Sequence, residues 1–145
     1  LFFSAHLGNW ELTSHALTEN GFNINFIYRA PNSKYVDGLL RKIRYSYGVG
    51  LINKGPKGAK ECIKVLSKNG GNIGMLIDQK MNDGIKINFF GREAMTATAI
   101  AKLALKFKST VIPAYCIRVS GTNFKIKYFY KYRLFQRESL FILFC

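Results

Sequence analysis

Short unbroken apolar runs alternate along the chain with stretches in which apolar residues recur every three or four positions. The first pattern suits strands buried in a sheet; the second suits helices with one apolar stripe. Leu1-Phe2-Phe3 is such a run, Gly8-Asn9 marks a turn, and a helix opens at Trp10 with Asn9 as its N-cap. Gly21 stops that helix, and Ile24–Tyr28 is the second strand. From Lys34, the residues Val36, Leu39, Leu40, Ile43 and Tyr47 recur at helical spacing with Arg41, Lys42 and Arg44 opposite, up to Gly48. A short strand over 49–52 precedes a helix over 57–68, with Ala59, Cys62, Ile63 and Leu66 inward and Gly70-Gly71 as its stop. A central strand over 73–77 leads through Asn82-Asp83-Gly84 to an alternating segment at 85–90. Thr96 caps a helix through Ile100, Leu103, Ala104 and Phe107, and strands follow at 110–117 and 124–130. The pattern predicts an α/β fold: a mixed central sheet flanked by helices on both faces.

This placement puts candidate chemistry at one edge of the sheet. His6 follows the first strand, Arg29 the second and Asp78 the central one, each just past a carboxyl-terminal end, where ligands gather in open α/β sheets. Glu11 falls in the first turn of the first helix, where the helix dipole favours an anion. On one uninterrupted helix, His6 and Glu11 would point roughly 140° apart at 3.6 residues per turn, so they meet only across a strand–turn–helix. A histidine oriented by a carboxylate can take a proton from a hydroxyl near neutral pH. Asp78 serves either as a turn or capping residue or as support for the site; Arg29 is either a surface arginine or a phosphate ligand, for which its guanidinium fork is suited. His15 has no evident partner and reads as structural or solvated. No activated serine or cysteine nucleophile is evident, which disfavours chemistry through a covalent intermediate.

Charge narrows the partners. Lys+Arg number 22 against 8 Asp+Glu, a net +14, and so large a surplus points to an anionic partner. Nucleic acid is disfavoured, because no helix-turn-helix, zinc spacing or RNA-recognition motif is present. Cys62, Cys116 and Cys145 are isolated, with no Cys-x-x-Cys pair, so neither a structural metal nor a disulfide framework is expected. No stretch reaches the roughly 18 apolar residues needed to span a bilayer.

Ala5-His6-Leu7-Gly8-Asn9-Trp10-Glu11 resembles the first motif block of the lysophospholipid acyltransferase superfamily, in the form carried by the bacterial lipid A lauroyl- and myristoyltransferases. Tyr28-Arg29 resembles the second block. Asp78-Gln79, Phe89-Phe90-Gly91 and Ala94 with Thr96 resemble the third, and Val111-Ile112-Pro113 the fourth. The resemblance implies a glycerolipid acyltransferase-like sheet and transfer of a fatty acyl chain from an acyl carrier protein thioester to a hydroxyl of a lipid A precursor. His6 would be the general base and Glu11 its orienting carboxylate, with Asn9, Arg29, Asp78, Gln79, Phe90 and Gly91 contacting substrate. It implies no cofactor and no metal. Its partners would be the acyl carrier protein, docking on Arg41, Lys42 and Arg44, a phosphorylated glycolipid acceptor, and an anionic membrane surface. The place implied is the cytoplasmic face of the bacterial inner membrane.

Two alternatives remain open. Glycerophospholipid acyltransferases of the same superfamily usually carry aspartate where Glu11 stands. A basic, non-catalytic membrane-binding gene remnant is the other. The chain opens inside the strand that supports His6, without methionine, so it reads as an internal fragment of such an enzyme, truncated at both ends. Residues 1–131 form the core on this reading, and 132–145 are a tail in which either the chain is cut or the frame shifts.

Overall fold

A computed structural model describes residues 1–67 and 71–129. Strands β1 (Phe2–Ser4), β2 (Ile24–Tyr28), β3 (Gly50–Asn53) and β4 (Asn72–Leu76) alternate with helices α1 (Glu11–Glu19), α2 (Lys34–Ser46) and α3 (Pro56–Ser67). A hairpin of β5 (Ile85–Phe89) and β6 (Arg92–Thr96) follows, then α4 (Ala99–Phe107), β7 (Ile112–Ser120) and β8 (Asn123–Tyr128). The main sheet runs β3-β2-β4-β1-β7-β8; its pairs are parallel except β7 with β8. The result is the mixed, helix-flanked α/β sheet that the alternation of runs predicts.

Two apolar clusters sandwich this sheet because strand side chains alternate between its faces. Phe2, Leu17, Ile24, Phe26 and Val49 pack on the face carrying α1. Ile52, Cys62, Ile73, Met75, Ile100 and Ala104 pack on the face carrying α3 and α4. Ile24, Ile52, Ile73 and Ile100 are wholly buried, each contributing about 1.5–3 kcal/mol of transfer free energy.

Several local expectations change. The first helix begins at Glu11 with Trp10 in the cap position; Asn9 caps nothing with its side chain, and its carbonyl accepts from the Leu12 N–H. Residues 92–96 form a strand, so Thr96 ends β6 and the cap position of α4 falls to Thr98. Helix α3 turns Gly58 and Cys62 inward, with Val65 and Leu66 against the core, while Ala59 and Ile63 are exposed. The largest departure is α2, in which no residue is buried and only Leu40 of the apolar stripe is half-buried. The expected boundary at residue 131 and the tail after it lie outside the described residues.

Candidate active site

β1 and β4 are neighbouring parallel strands in the register Phe2↔Gly74, Phe3↔Met75, Ser4↔Leu76. Continuing each strand by the same two residues brings His6 and Asp78 level at the carboxyl edge. There the Asp78 carboxylate grips residue 6 twice: Oδ2 accepts the His6 backbone N–H at 2.9 Å, and Oδ1 lies 2.8 Å from the imidazole Nδ1. Burial pushes the Asp78 carboxyl up, but the backbone and ring hydrogen bonds from His6 outweigh it, and the group is held below its ordinary value. An ionised carboxylate on Nδ1 fixes the tautomer that carries a proton there and leaves Nε2 as the basic nitrogen.

The loop between β1 and α1 holds this geometry. Gly8 has φ +57°, and a Cβ there would run into the Cys116 carbonyl oxygen of β7. Only glycine lets the turn press against β7 in this conformation. The Trp10 ring stacks on buried Phe26 at 5.9 Å and meets the His6 ring edge-to-face at 5.6 Å, so a half-buried aromatic wall backs the imidazole.

Glu11 is placed differently from the sequence expectation. Its carboxylate is taken by Arg44 of α2 in a bidentate pair, Nη2–Oε1 at 2.5 Å and Nε–Oε2 at 3.0 Å. The carboxylate bonded to His6 is therefore that of Asp78, and Glu11 enters the site through Arg44. The physical reason is that a strand register reaches across 72 residues, whereas motif spacing sees only the acid five positions away. Arg44 also lies over the Trp10 ring, 5.8 Å from its centroid, so the Glu11–Arg44 pair braces the same wall.

A cavity of about 730 Å³ opens beside Asp78, between the carboxyl ends of β1 and β4 and the β5–β6 hairpin. This falls within the ~300–1,000 Å³ usual for small-molecule sites. Its walls are mainly apolar, among them Phe3, Leu7, Ile77, Ile87, Phe89 and Met95; Ser4, Asp78 and Gln79 supply polar groups. Such a space suits a flexible hydrocarbon chain with its polar end at Asp78.

The other candidates are spread along this edge. Asp78 and Gln79 line the cavity, whereas His6, Asn9, Glu11, Arg29, Phe90 and Gly91 are not among its lining residues, and His6 adjoins it through Asp78. Arg29 is exposed just past β2, the strand next to β4 on the side away from β1. Phe90 and Gly91 form the hairpin turn with φ of 49° and 77°, and Phe90 is 88% exposed. The cavity contact falls to Phe89, because alternation along β5 turns Ile87 and Phe89 to one side and the turn then swings Phe90 outward. Asn9 is exposed beside the His6 turn. Of the three cations expected on one docking face, Arg41 is turned to Asp37 and Asn53 and Arg44 to Glu11, leaving Lys42 exposed. Ile87 and Met95 were not among the expected site residues; two alternating segments joined by a two-residue turn are the signal that could have found them.

Among the described residues, no group of three or more His, Cys, Asp or Glu is placed to hold a metal ion. The model of the bacterial lipid A biosynthesis acyltransferase family matches residues 1–139. The chain belongs to that family. Such a family transfers an acyl group from a donor to a lipid acceptor, and in this chain the apolar cavity lies beside Asp78, the partner of His6. No curated protein matches the chain closely enough to count as a relative.

Proposed function

We propose that this lipid A acyltransferase moves a fatty acyl chain from an acyl carrier protein thioester to a hydroxyl of a phosphorylated lipid A precursor, with His6 as general base. The observation that carries the reading is the His6–Asp78 pair, set beside an apolar cavity of about 730 Å³. Nε2 takes the proton of the acceptor hydroxyl as that oxygen attacks the thioester carbonyl. The carbon–sulfur bond breaks, an ester forms, and the departing thiolate recovers the proton from the imidazolium. Asp78 holds the Nδ1 proton and stabilises the imidazolium, the role a carboxylate plays in serine-hydrolase triads. Glu11 contributes through Arg44, which fixes the start of α1 and the Trp10 wall. The acyl chain occupies the cavity along Ile87, Phe89 and Met95. Arg29, exposed on the same edge, suits a phosphate of the acceptor. On this reading the work is done at the cytoplasmic face of the bacterial inner membrane.

The test is acylation of a lipid A precursor by the purified protein, with acyl carrier protein thioester as donor and lysophosphatidate as rival acceptor. Transfer to the glycolipid is expected, and His6→Ala should lose about 10²–10⁴-fold or more in rate while still binding acceptor. Preference for lysophosphatidate would move the chain to glycerophospholipid chemistry. An undiminished rate in His6→Ala would remove the general-base mechanism.

A further inference from the structure

Helix α2 is turned inside out relative to an ordinary surface helix. At 3.6 residues per turn, Val36, Leu39, Ile43 and Tyr47 lie within about 80° of arc, the stripe that a globular protein normally packs on its core. Here they are 47, 60, 43 and 48% exposed, Tyr35 beside them is 92% exposed, and no residue of the helix is buried.

The charged side faces inward instead. Arg44 grips Glu11, and Arg41 bonds Asp37 and Asn53 while lying 5.2 Å from the centroid of the Tyr28 ring. Asp37, the acidic residue of α2, is thereby occupied by Arg41 and by the Tyr28 hydroxyl. The outward surface is left with apolar and tyrosine side chains, bordered next to Leu39 by the exposed Lys42.

We propose that α2 is a membrane-docking helix that lies flat in the interface of an anionic bilayer, its Val36–Leu39–Ile43 stripe entering the acyl boundary and Lys42 beside it meeting lipid phosphates. Three observations favour a lipid surface as the occupant. Charge is complementary: the chain carries +14, and the exposed Lys42 borders the stripe. Tyr35 and Tyr47 stand at its two ends, and amphipathic rings settle at headgroup level. The 13-residue helix is about 20 Å long, too short to cross a hydrocarbon core of about 30 Å, so it rests on the membrane rather than through it.

The inner face of α2 reaches the catalytic wall through Arg44, Trp10 and His6. Docking would therefore hold the mouth of the site at the surface where a lipid acceptor resides. Binding to vesicles requires no turnover, so this proposal stands or falls separately from the role of His6.

The experiment is flotation of the full chain with vesicles of phosphatidylethanolamine, with and without phosphatidylglycerol. Wild type should float with the anionic vesicles. Leu39→Gln combined with Ile43→Gln should weaken partitioning by about tenfold or more, and Lys42→Gln should reduce the preference for phosphatidylglycerol by about fivefold. Val119→Gln, a change at an exposed apolar residue of β7, should leave binding unchanged. Circular dichroism of each variant confirms the fold, which these exposed positions do not support. Failure of wild type to float, or equal flotation of the Leu39/Ile43 variant, would overturn the proposal. So would a wild-type dimer in sedimentation that this variant dissociates, since a second copy would then be the occupant.

Discussion

The carboxyl edge of β1 and β4 and the helix α2 are held by opposite kinds of force. At the edge, buried Phe2, Ile73 and Met75 fix two strands, and their register sets His6 against Asp78. Helix α2 buries no residue and is tied down by Arg41, bonded to Asn53, and by Arg44, paired with Glu11. Burial is short-ranged, insensitive to salt and fixes position closely, which suits a catalytic pair. Ion pairs near a surface are weaker and screened, which suits an element that meets a partner. The contrast predicts that perturbations should separate: damage to the edge should remove chemistry, and damage to the α2 clamps should loosen one helix.

The sharpest separation should come from Asp78→Asn. The amide keeps the size of the side chain but loses the charge that stabilises an imidazolium, so a large part of the general-base contribution, about 10²–10⁴-fold, should vanish from the acyl-transfer rate. The pair is about a third exposed on each side, so the melting temperature should move little. Because the Asp78 carboxyl is depressed in the folded state, its contribution to stability is present above the ordinary value of 3.8 and lost as pH falls through the lower folded value. Unfolding free energies measured from about pH 5 downward should show that acid arm in wild type and lack it in Asp78→Asn.

Gly8→Ala attacks the same edge through the backbone. The added methyl would have to displace the Cys116 carbonyl and tolerate a positive φ, at a cost of about 1–3 kcal/mol. A lower denaturant midpoint together with a lower rate should follow, since the turn also carries His6. An alanine variant with wild-type stability and rate would show that the turn is not what holds the imidazole.

Arg44→Lys tests the other side of the contrast. Lysine keeps the charge but not the fork that engages both oxygens of Glu11. About 1 kcal/mol of stability should be lost. Amide hydrogen exchange should rise in α2 and the first turn of α1, with β1 and β4 unaffected, and the gap to wild type should shrink as salt is added. Faster exchange spread evenly over the sheet would break the comparison, because α2 would then be part of the core.

What the sequence made legible follows the same division. Strands whose residues are nearly all apolar, such as the one ending before Asp78, announce themselves, and glycines mark where helices stop. With them came the α/β architecture and the sheet edge where His6, Arg29 and Asp78 all lie. The partner of His6 was not legible, because strand order decides it: only with β4 seated beside β1 does Asp78 come closer than Glu11. The hairpin of β5 and β6 was half visible. Its turn is Phe90-Gly91, and phenylalanine at a positive φ gives none of the signal that Asn-Gly would. The stripe on α2 was visible as periodicity, but periodicity states that a helix has an apolar side without stating what covers it.

A neutral clamp on the opposite side of α1 provides the control. The Tyr128 hydroxyl donates to the Thr13 carbonyl at 2.6 Å, tying β8 to the helix that Arg44 holds from α2. Burial, with a smaller effect from Cys116, pushes the Tyr128 phenol up to about 12. A raised folded value means that its contribution is full below the ordinary 10.0 and is lost as pH climbs toward about 12. Tyr128→Phe should cost about 1 kcal/mol at neutral pH, independent of salt. It should also remove part of the alkaline destabilisation that wild type shows above pH 10.0. Tyr28, also raised by burial, remains in both proteins, so the difference between their stability–pH curves isolates Tyr128. If that difference responded to salt as Arg44→Lys is expected to, the separation between burial-held and charge-held contacts would fail at the helix where the two meet.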